Sequence, residues 1–232
     1  MEIKSMNLKI AITGGSGAVG SEIISFLDWN QHFSKITIIT RRRIQKWEIL
    51  ENKEKFHFID FEEFEELKDI DKETFNNYDA FFCCLGCPTN KKRKDFQLVD
   101  YSYSLMFAEL AKTCNIPHFS IITSSTGIGL GKLFWSSYLK TKKELENKLL
   151  EMQFPYLSIM RPSFIIRRYE HSRSGENSLR YAPFIQTIHA SKLADVMILD
   201  CMNYYIKRRQ IPREEGSIVR IFEKKDLKIP LF

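Results

Sequence analysis

The chain has no long hydrophobic run. Its apolar stretches, such as Leu8–Ile12, Ile36–Ile39 and Ala80–Leu85, are much shorter than the ~20 apolar residues that a helix needs to cross a bilayer. The first residues, MEIKSMN, also lack the apolar centre of a secretory signal. The sequence therefore predicts a protein without a membrane span, and we expect it in the cytoplasm.

Cysteine is scarce. The five cysteines are Cys83, Cys84, Cys87, Cys114 and Cys201, and an odd number in an intracellular chain argues against a disulfide framework. Cys84 and Cys87 form a CxxC motif, but no second CxxC or nearby histidine pair supplies the four ligands of a structural zinc site. We expect these cysteines to pack structurally or beside a cofactor, without a metal.

The excess of positive charge is also small, with a formal net charge of +6. The basic residues form short runs: Arg41–Arg43, Lys91–Lys94, Lys140–Lys143, Arg167–Arg168 and Lys207–Arg209. Nucleic-acid-binding proteins can carry such runs, but acidic residues are interspersed and no aromatic–basic stacking pattern accompanies them. The runs favour a solvated basic face and a site for an anionic cofactor, and we expect no nucleic-acid partner.

Short β-branched runs alternate with longer amphipathic stretches, a pattern typical of βαβ units and a parallel sheet. The predicted strands are Leu8–Thr13, Lys35–Thr40, Phe56–Asp60, Asp79–Leu85, His118–Ser124, Tyr156–Met160 and Ser217–Phe222. The predicted helices span about Ala18–Trp29, Phe96–Cys114, Ser137–Met152 and Ser191–Tyr205. The polar segment Arg167–Pro183 predicts a loop over the site. We expect an α/β, doubly wound Rossmann fold in a single domain over residues 1–232, with a mostly parallel sheet of about seven strands and helices on both faces.

A glycine-rich turn, TGGSGAVG, joins the first predicted strand to the first helix. Its glycines at Gly14, Gly17 and Gly20 follow a GxxGxxG spacing. Glycine permits a tight turn and lets backbone amides approach a pyrophosphate, and the helix N-terminus offers unpaired N–H groups and a partial positive charge. In this strand–loop–helix context the turn predicts a dinucleotide site.

Arginines follow the second predicted strand, where an NAD-selective site carries a carboxylate for the ribose hydroxyl. Arg41 and Arg42, with Arg43 next to them, can engage a 2′-phosphate through charge-assisted, bidentate hydrogen bonds. The alternative interpretation is a solubilising basic loop. The pattern favours NADPH over NADH.

Two further predicted strands end where the dinucleotide would bind, because ligands in such folds lie in a crevice at the carboxyl ends of the strands. Asp60 ends the third predicted strand, where a side chain can meet the adenine. Leu85 and Gly86 end the fourth, where a glycine lets the backbone pass close to the cofactor. We predict that all three residues line the cofactor site.

Tyr138 and Lys142 lie four residues apart in a predicted helix and therefore share one face. A nearby ammonium stabilises a phenolate and lowers the pKa of tyrosine, and a lysine can also hold the nicotinamide ribose. The YxxxK motif is common by itself. Here it follows a strand that ends at Ser124 and Ser125, in a chain that also carries the glycine turn. We predict that Tyr138 and Lys142 are catalytic.

A serine hydroxyl at that strand end can donate a hydrogen bond to a substrate carbonyl and stabilise developing negative charge. Ser124 and Ser125 should face opposite ways if the strand continues that far. The register counted from Phe119 favours Ser124, whereas the Ser-Ser-x-Gly pattern favours Ser125. Both remain candidates.

With these motifs in this order, the chain resembles the atypical short-chain dehydrogenase/reductases, and among them the family of the oxidoreductase-like HIV Tat-interacting protein. The resemblance runs from about Leu8 to Leu227. It rests on the glycine turn, Phe33-Ser34-Lys35, Arg41-Arg42, Phe82–Gly86, Ala108–Lys112, Tyr138–Lys142 and Arg161-Pro162.

The resemblance implies an NADPH-binding fold with a tyrosine-centred active site. The cofactor contacts that it implies are Ser16, Gly17, Ala18, Val19, Arg41, Arg42, Leu85, Gly86, Tyr138, Lys142, Ile165 and Arg173. The chain departs from its relatives at Ser163, where glycine usually follows Arg-Pro. It also shows no convincing equivalent of the asparagine that completes the catalytic tetrad of the larger family.

Two functions follow from these patterns. The favoured one is a reductase that passes a hydride from NADPH to a carbonyl substrate, with Tyr138 as the proton donor. The alternative is a cofactor-sensing regulator that recruits protein partners with little or no catalysis, because the resemblance to animal relatives implies regulatory roles and the asparagine is missing. Some fungal relatives imply a mitochondrial location as an alternative to the cytoplasm.

Overall fold

The computed structural model of the protein describes residues 5–87, 93–125, 132–167, 187–210, 216–223 and 225–227. Within these ranges, seven strands form one parallel sheet: β1 (Leu8–Thr13), β2 (Phe33–Thr40), β3 (Phe56–Asp60), β4 (Ala80–Cys83), β5 (His118–Ile122), β6 (Tyr156–Met160) and β9 (Ile218–Phe222). Their order across the sheet is β3-β2-β1-β4-β5-β6-β9. A separate parallel pair joins β7 (Phe164–Ile166) to β8 (Thr187–His189).

Helices connect the strands of the sheet. They are α1 (Ala18–Trp29), α2 (Arg93–Phe96), α3 (Ser104–Thr113), α4 (Lys132–Glu151) and α5 (Ala190–Gln210). A π-helical segment, Gln97–Tyr103, joins α2 to α3, and short 3₁₀ turns span Gln45–Ile49, Lys53–Lys55, Phe64–Asp69 and Lys72–Phe75. None of the helices in the described ranges combines the length and apolar character of a membrane span.

The sheet is buried on both faces because helices cover each of them. Along β1, Ile10 and Ile12 belong to the cluster formed with α1 and α5, whereas Ala11 belongs to the cluster formed with α3 and α4. Successive side chains of a strand point to opposite faces, so a sheet covered on both sides needs apolar residues at nearly every position. The expected doubly wound α/β Rossmann fold is confirmed.

The strand order places a switch point between β1 and β4. The chain runs outward from β1 through β2 to β3, and then crosses back to β4 on the other side of β1. In open α/β sheets, ligands bind outside the carboxyl ends of the strands at such a point. The glycine turn leaves β1 at this edge of the sheet.

The predicted bounds of β1, α1, β3 and β6 match the structure. The other elements differ from their predicted bounds. β2 begins at Phe33, β4 spans Ala80–Cys83 and β9 begins at Ile218. β5 ends at Ile122 rather than Ser124, so Ser124 and Ser125 follow the strand instead of belonging to it. α4 begins at Lys132 rather than Ser137, α5 spans Ala190–Gln210, and the predicted helix Phe96–Cys114 contains the π-helical segment. The predicted loop lies outside the described residues except for Arg167.

A buried polar network joins the amino ends of β5 and β6 to α5. Asp200 accepts hydrogen bonds from Tyr156 Oη at 2.8 Å and from Ser158 Oγ at 2.5 Å. It also accepts one from Arg220 Nη1 at 3.0 Å. His118 Nε2 lies 3.0 Å from Ser158 Oγ, and burial lowers the pKa of His118 to about 3. The network stands at the opposite end of these strands from the crevice, and we assign it a structural role.

Replacing Asp200→Ala should lower the free energy of unfolding by roughly 2–4 kcal/mol, because buried donors left without an acceptor cost about 1–3 kcal/mol each. Urea denaturation measures the change. As a control, Glu109→Ala removes an exposed carboxylate from α3 and should change the free energy of unfolding by less than about 0.5 kcal/mol. Equal losses in the two variants would contradict the structural role of the network.

Candidate cofactor and active site

The glycine turn packs directly against the end of β4. Gly14 has a φ of 74°, a conformation that favours glycine, and a Cβ built on it would lie 2.5 Å from the carbonyl carbon and oxygen of Cys84. The Cys84 amide donates a hydrogen bond to Thr13 O at 3.0 Å, so the two strand ends stay joined beyond the ladder. Only glycine fits at position 14 without displacing the backbone.

Helix α1 packs equally closely on the turn that precedes it. A Cβ on Gly20 would lie 2.3 Å from Gly14 O, and the Gly17 amide donates to the same oxygen at 2.9 Å. No side chain caps the N-terminus of α1, which leaves its first amides available to an anion. The tight turn, the close helix and the uncapped N-terminus together fit the diphosphate of a dinucleotide.

The other predicted residues of the turn differ in exposure. Ser16 and Gly17 are exposed, and Ala18 is half-buried. Val19 is buried in the core against the sheet, so its backbone rather than its side chain faces the turn. The buried indole of Trp47 packs beside Gly15.

Arg41 and Arg42 lie exposed at the carboxyl end of β2. The Thr40 hydroxyl shapes this turn, because it donates to Arg42 O at 2.8 Å and accepts from Arg42 N at 3.3 Å. The structure therefore presents the guanidinium-bearing turn at the same edge of the sheet as the glycine turn.

Asp60 ends β3 as predicted, and its carboxylate pairs with Arg43. Nη2 of Arg43 lies 2.6 Å from Oδ2 of Asp60, and Nε lies 3.0 Å from the same oxygen. The guanidinium also stacks over the ring of Phe58 at 4.4 Å. Sequence reasoning missed this pair, which neutralises a carboxylate next to the other two arginines. That Asp60 meets an adenine stays a prediction.

The segment after β4 borders the other side of the crevice. Leu85 is half-buried and Gly86 is exposed. A Cβ on Gly86 would lie 3.9 Å from Asp100 Oδ1, which is an ordinary van der Waals contact. The Cys87 amide donates to Asp100 Oδ2 at 2.8 Å. The five cysteines are free thiols.

Tyr138 and Lys142 meet on one face of α4, as their spacing predicts. The Lys142 ammonium lies 6.0 Å from the centre of the Tyr138 ring and 2.7 Å from Asp100 Oδ1. It also donates to Ile122 O at 3.5 Å. The side chains of Lys142 and Asp100 are both buried.

Burial sets the protonation state of the tyrosine. Burial raises the pKa of Tyr138, and this effect outweighs the opposing effects of the Lys142 charge and a hydrogen bond with Ser124. The expectation that Lys142 lowers the pKa of Tyr138 describes its direct effect but not the net shift. For Lys142, burial acts in the other direction and lowers the pKa. Tyr138 and Asp100 raise that pKa by more, so the net shift of Lys142 is upward. Near neutral pH the phenol therefore keeps its proton and the lysine its charge.

The two candidate serines point to different neighbours. Ser124 is the serine that hydrogen-bonds with Tyr138. Ser125 Oγ lies 3.3 Å from Ser163 Oγ, and the Ser125 amide donates to Pro162 O at 2.9 Å. The geometry brings Ser124, rather than Ser125, to the tyrosine.

Two predicted cofactor contacts remain, Ile165 and Arg173. Ile165 lies in β7, is half-buried and pairs with Ile188 of β8. Arg173 lies outside the described residues. Asp100 is the residue of this site that sequence reasoning missed. The signal for it was an acidic residue inside the apolar helical stretch that follows Phe96.

Comparisons with known proteins identify relatives of this chain. A family model described as the NAD-binding domain of semialdehyde dehydrogenase matches residues 9–97. Protein HTATIP2 of Rattus norvegicus is 34% identical over 176 residues, which cover 75% of this chain and 70% of the relative. Protein FMP52-1, mitochondrial, of Scheffersomyces stipitis is 24% identical over 224 residues, which cover 93% and 95%. Because this relative carries a mitochondrial name, the cytoplasmic location stays a prediction.

Two solved structures share the fold. One is the UDP-N-acetylglucosamine 4-epimerase of Methanobrevibacter ruminantium M1 in complex with UDP-N-acetylmuramic acid, which has a TM-score of 0.65 at 17% identity. The match covers 98% of this chain and 93% of the epimerase chain. MoeE5, in complex with UDP-glucose and NAD, has a TM-score of 0.64 at 14% identity and covers 92% and 75%. At this identity the likeness concerns the fold alone.

Two glycine substitutions should separate packing from ligand binding. Gly20→Ala forces a Cβ into the Gly14 carbonyl and should lower both the melting temperature and dinucleotide affinity. Gly86→Ala has room in the protein, so its melting temperature should stay within about 2 °C while dinucleotide affinity falls at least roughly tenfold, as steric exclusion from the crevice requires. Thermal unfolding and calorimetry measure the two quantities. Unchanged affinity in Gly86→Ala would place the cofactor elsewhere.

Proposed function

The chain belongs to the HTATIP2 family of atypical short-chain dehydrogenase/reductases, and on that basis we propose that it binds NADPH and reduces the carbonyl group of a small molecule. The observation that carries the proposal is the convergence of Tyr138, Ser124 and Lys142. Asp100 joins Lys142 to the backbone of Cys87, in the segment after β4 against which the glycine turn packs. All of these lie near the carboxyl ends of the central strands, where ligands bind in this fold.

The first half of the proposal concerns cofactor binding. The glycine turn and the N-terminus of α1 hold the diphosphate, and Arg41 and Arg42 bind the 2′-phosphate. The ion pair of Arg43 with Asp60 supports the preference for a phosphorylated dinucleotide, because it neutralises the carboxylate that borders this subsite. When bound, the cofactor supplies a hydride.

The second half concerns proton delivery. The half-buried Tyr138 phenol, whose pKa is raised by desolvation, keeps its proton near neutral pH and donates it to the carbonyl oxygen of the substrate. The Ser124 hydroxyl donates a hydrogen bond to the same oxygen and stabilises its developing charge. The Lys142 ammonium attracts the phenolate that proton transfer leaves on Tyr138.

Cofactor choice is tested by Arg41→Ala and Arg42→Ala. Each substitution should weaken NADPH binding by roughly 10–100-fold, because a hydrogen bond to a charged group contributes about 1.5–3 kcal/mol. NADH affinity should change little, because NADH lacks the phosphate. Calorimetry with both dinucleotides measures this, and Lys46→Ala, which removes an exposed charge from the next turn, is the control. Equal losses for NADPH and NADH would contradict the assignment.

Catalysis is tested by Tyr138→Phe in a screen of aldehydes, ketones and quinones with NADPH. The variant should lose at least ~100-fold in kcat, which is the usual contribution of a positioned acid, while its NADPH affinity stays within about threefold because the diphosphate and phosphate contacts remain. Wild-type turnover that survives the substitution would exclude Tyr138 as the proton donor. Tight NADPH binding without turnover of any tested carbonyl by the wild type would favour a cofactor-sensing regulator instead.

A further inference from the structure

The Lys142 ammonium has a buried carboxylate partner that the proposed reaction leaves without a role. Asp100 is fully buried, and its Oδ1 lies 2.7 Å from Lys142 Nζ. A charged group taken out of water needs a partner of opposite charge. At 2.7 Å the Lys142 ammonium is close enough to Oδ1 for a charge-assisted hydrogen bond as well as charge attraction.

Asp100 also has an unusual backbone setting. It lies within the π-helical segment Gln97–Tyr103, and π-helical turns are rare and concentrate at functional sites. Its second oxygen accepts the Cys87 amide at 2.8 Å. One carboxylate thus joins the segment after β4 to the catalytic face of α4.

The groups around Tyr138 and Lys142 determine the net charge of this part of the site. The groups that face Tyr138 or Lys142 from the elements packed on them are Asp100, Cys83, Cys87 and Ser124. Burial raises the pKa of the Cys83 thiol, which therefore stays neutral. Among these groups, the Asp100 carboxylate is the one that balances the Lys142 charge. The ionised Asp100, the Lys142 ammonium and the Tyr138 phenol together form a neutral cluster. The pair of Tyr138 and Lys142 therefore releases its first proton from a cluster without net charge.

We infer that Asp100 is a positioning residue: it is the counter-ion that holds the Lys142 ammonium beside Tyr138 and holds the Cys87 backbone in place. The inference deepens the proposed function and rests on it for the role of Tyr138 as proton donor. Without the carboxylate, the cluster carries one positive charge, and its first proton leaves at a lower pH, from either member of the coupled pair.

The test is Asp100→Asn, which removes the charge and keeps the shape. Tyrosine is labelled with ¹³C at Cζ and lysine at Cε, and Tyr138→Phe identifies the Tyr138 signal among nine tyrosines. The first titration midpoint of the Tyr138–Lys142 pair should fall by at least about one pH unit, a tenfold change in acidity that is typical of a lost adjacent charge. A merely structural contact would not move this midpoint.

Glu109→Gln is the matched control, because it removes an exposed carboxylate from the adjoining helix and should leave the midpoint unchanged. A folded Asp100→Asn protein with the wild-type midpoint would overturn the inference. So would an equal shift in Glu109→Gln, because it would reflect net charge alone.

A second experiment applies if Asp100→Asn unfolds the protein. Lys142→Met leaves the carboxylate unpaired, whereas Asp100→Asn combined with Lys142→Met removes both charges. The double variant should melt at a higher temperature than either single variant, because breaking a buried ion pair costs more than replacing it. Additive losses would overturn the counter-ion role. Neither experiment needs turnover, so a failure of the proposed reductase activity is seen separately in the carbonyl screen.

Discussion

The close approach of the glycine turn to the end of β4 is the constraint on which the cofactor site depends. Gly14 lies against the Cys84 carbonyl with a positive φ, and Gly20 brings α1 onto the Gly14 oxygen. A side chain at either position would push these elements apart. The same contact brings the uncapped start of α1 to the switch point of the sheet, where an anion gains both amide donors and a partial positive charge.

Most of the fold follows from local patterns. The bounds of β1, α1, β3 and β6 were predictable because apolar runs, helical periodicity and turn residues agree there. The early end of β4 was not, because it depends on the chain leaving the ladder to meet the glycine turn. The π-helical segment was not predictable either, since helical periodicity does not distinguish a widened turn from an ordinary one.

The candidate site likewise has features that the sequence predicts and features that it does not. The glycine turn, the arginines and the Tyr138–Lys142 spacing are contiguous motifs. By contrast, the pairs Arg43–Asp60 and Lys142–Asp100 join residues that are far apart in the sequence, and packing alone decides that they meet. The net protonation of Tyr138 was also beyond the sequence, because the rise in its pKa comes chiefly from burial. These missed features are electrostatic, and they control how the predicted residues act.

Calorimetry of the folded wild-type protein with NADPH, NADP⁺ and NADH tests the central claim most directly. In this account the glycine turn holds the diphosphate and the β2 arginines hold the phosphorylated ribose. Both phosphorylated dinucleotides should therefore bind saturably and more tightly than NADH. A well-folded protein that releases no heat with NADPH or NADP⁺, and shows no binding of either by a second method, would contradict the account.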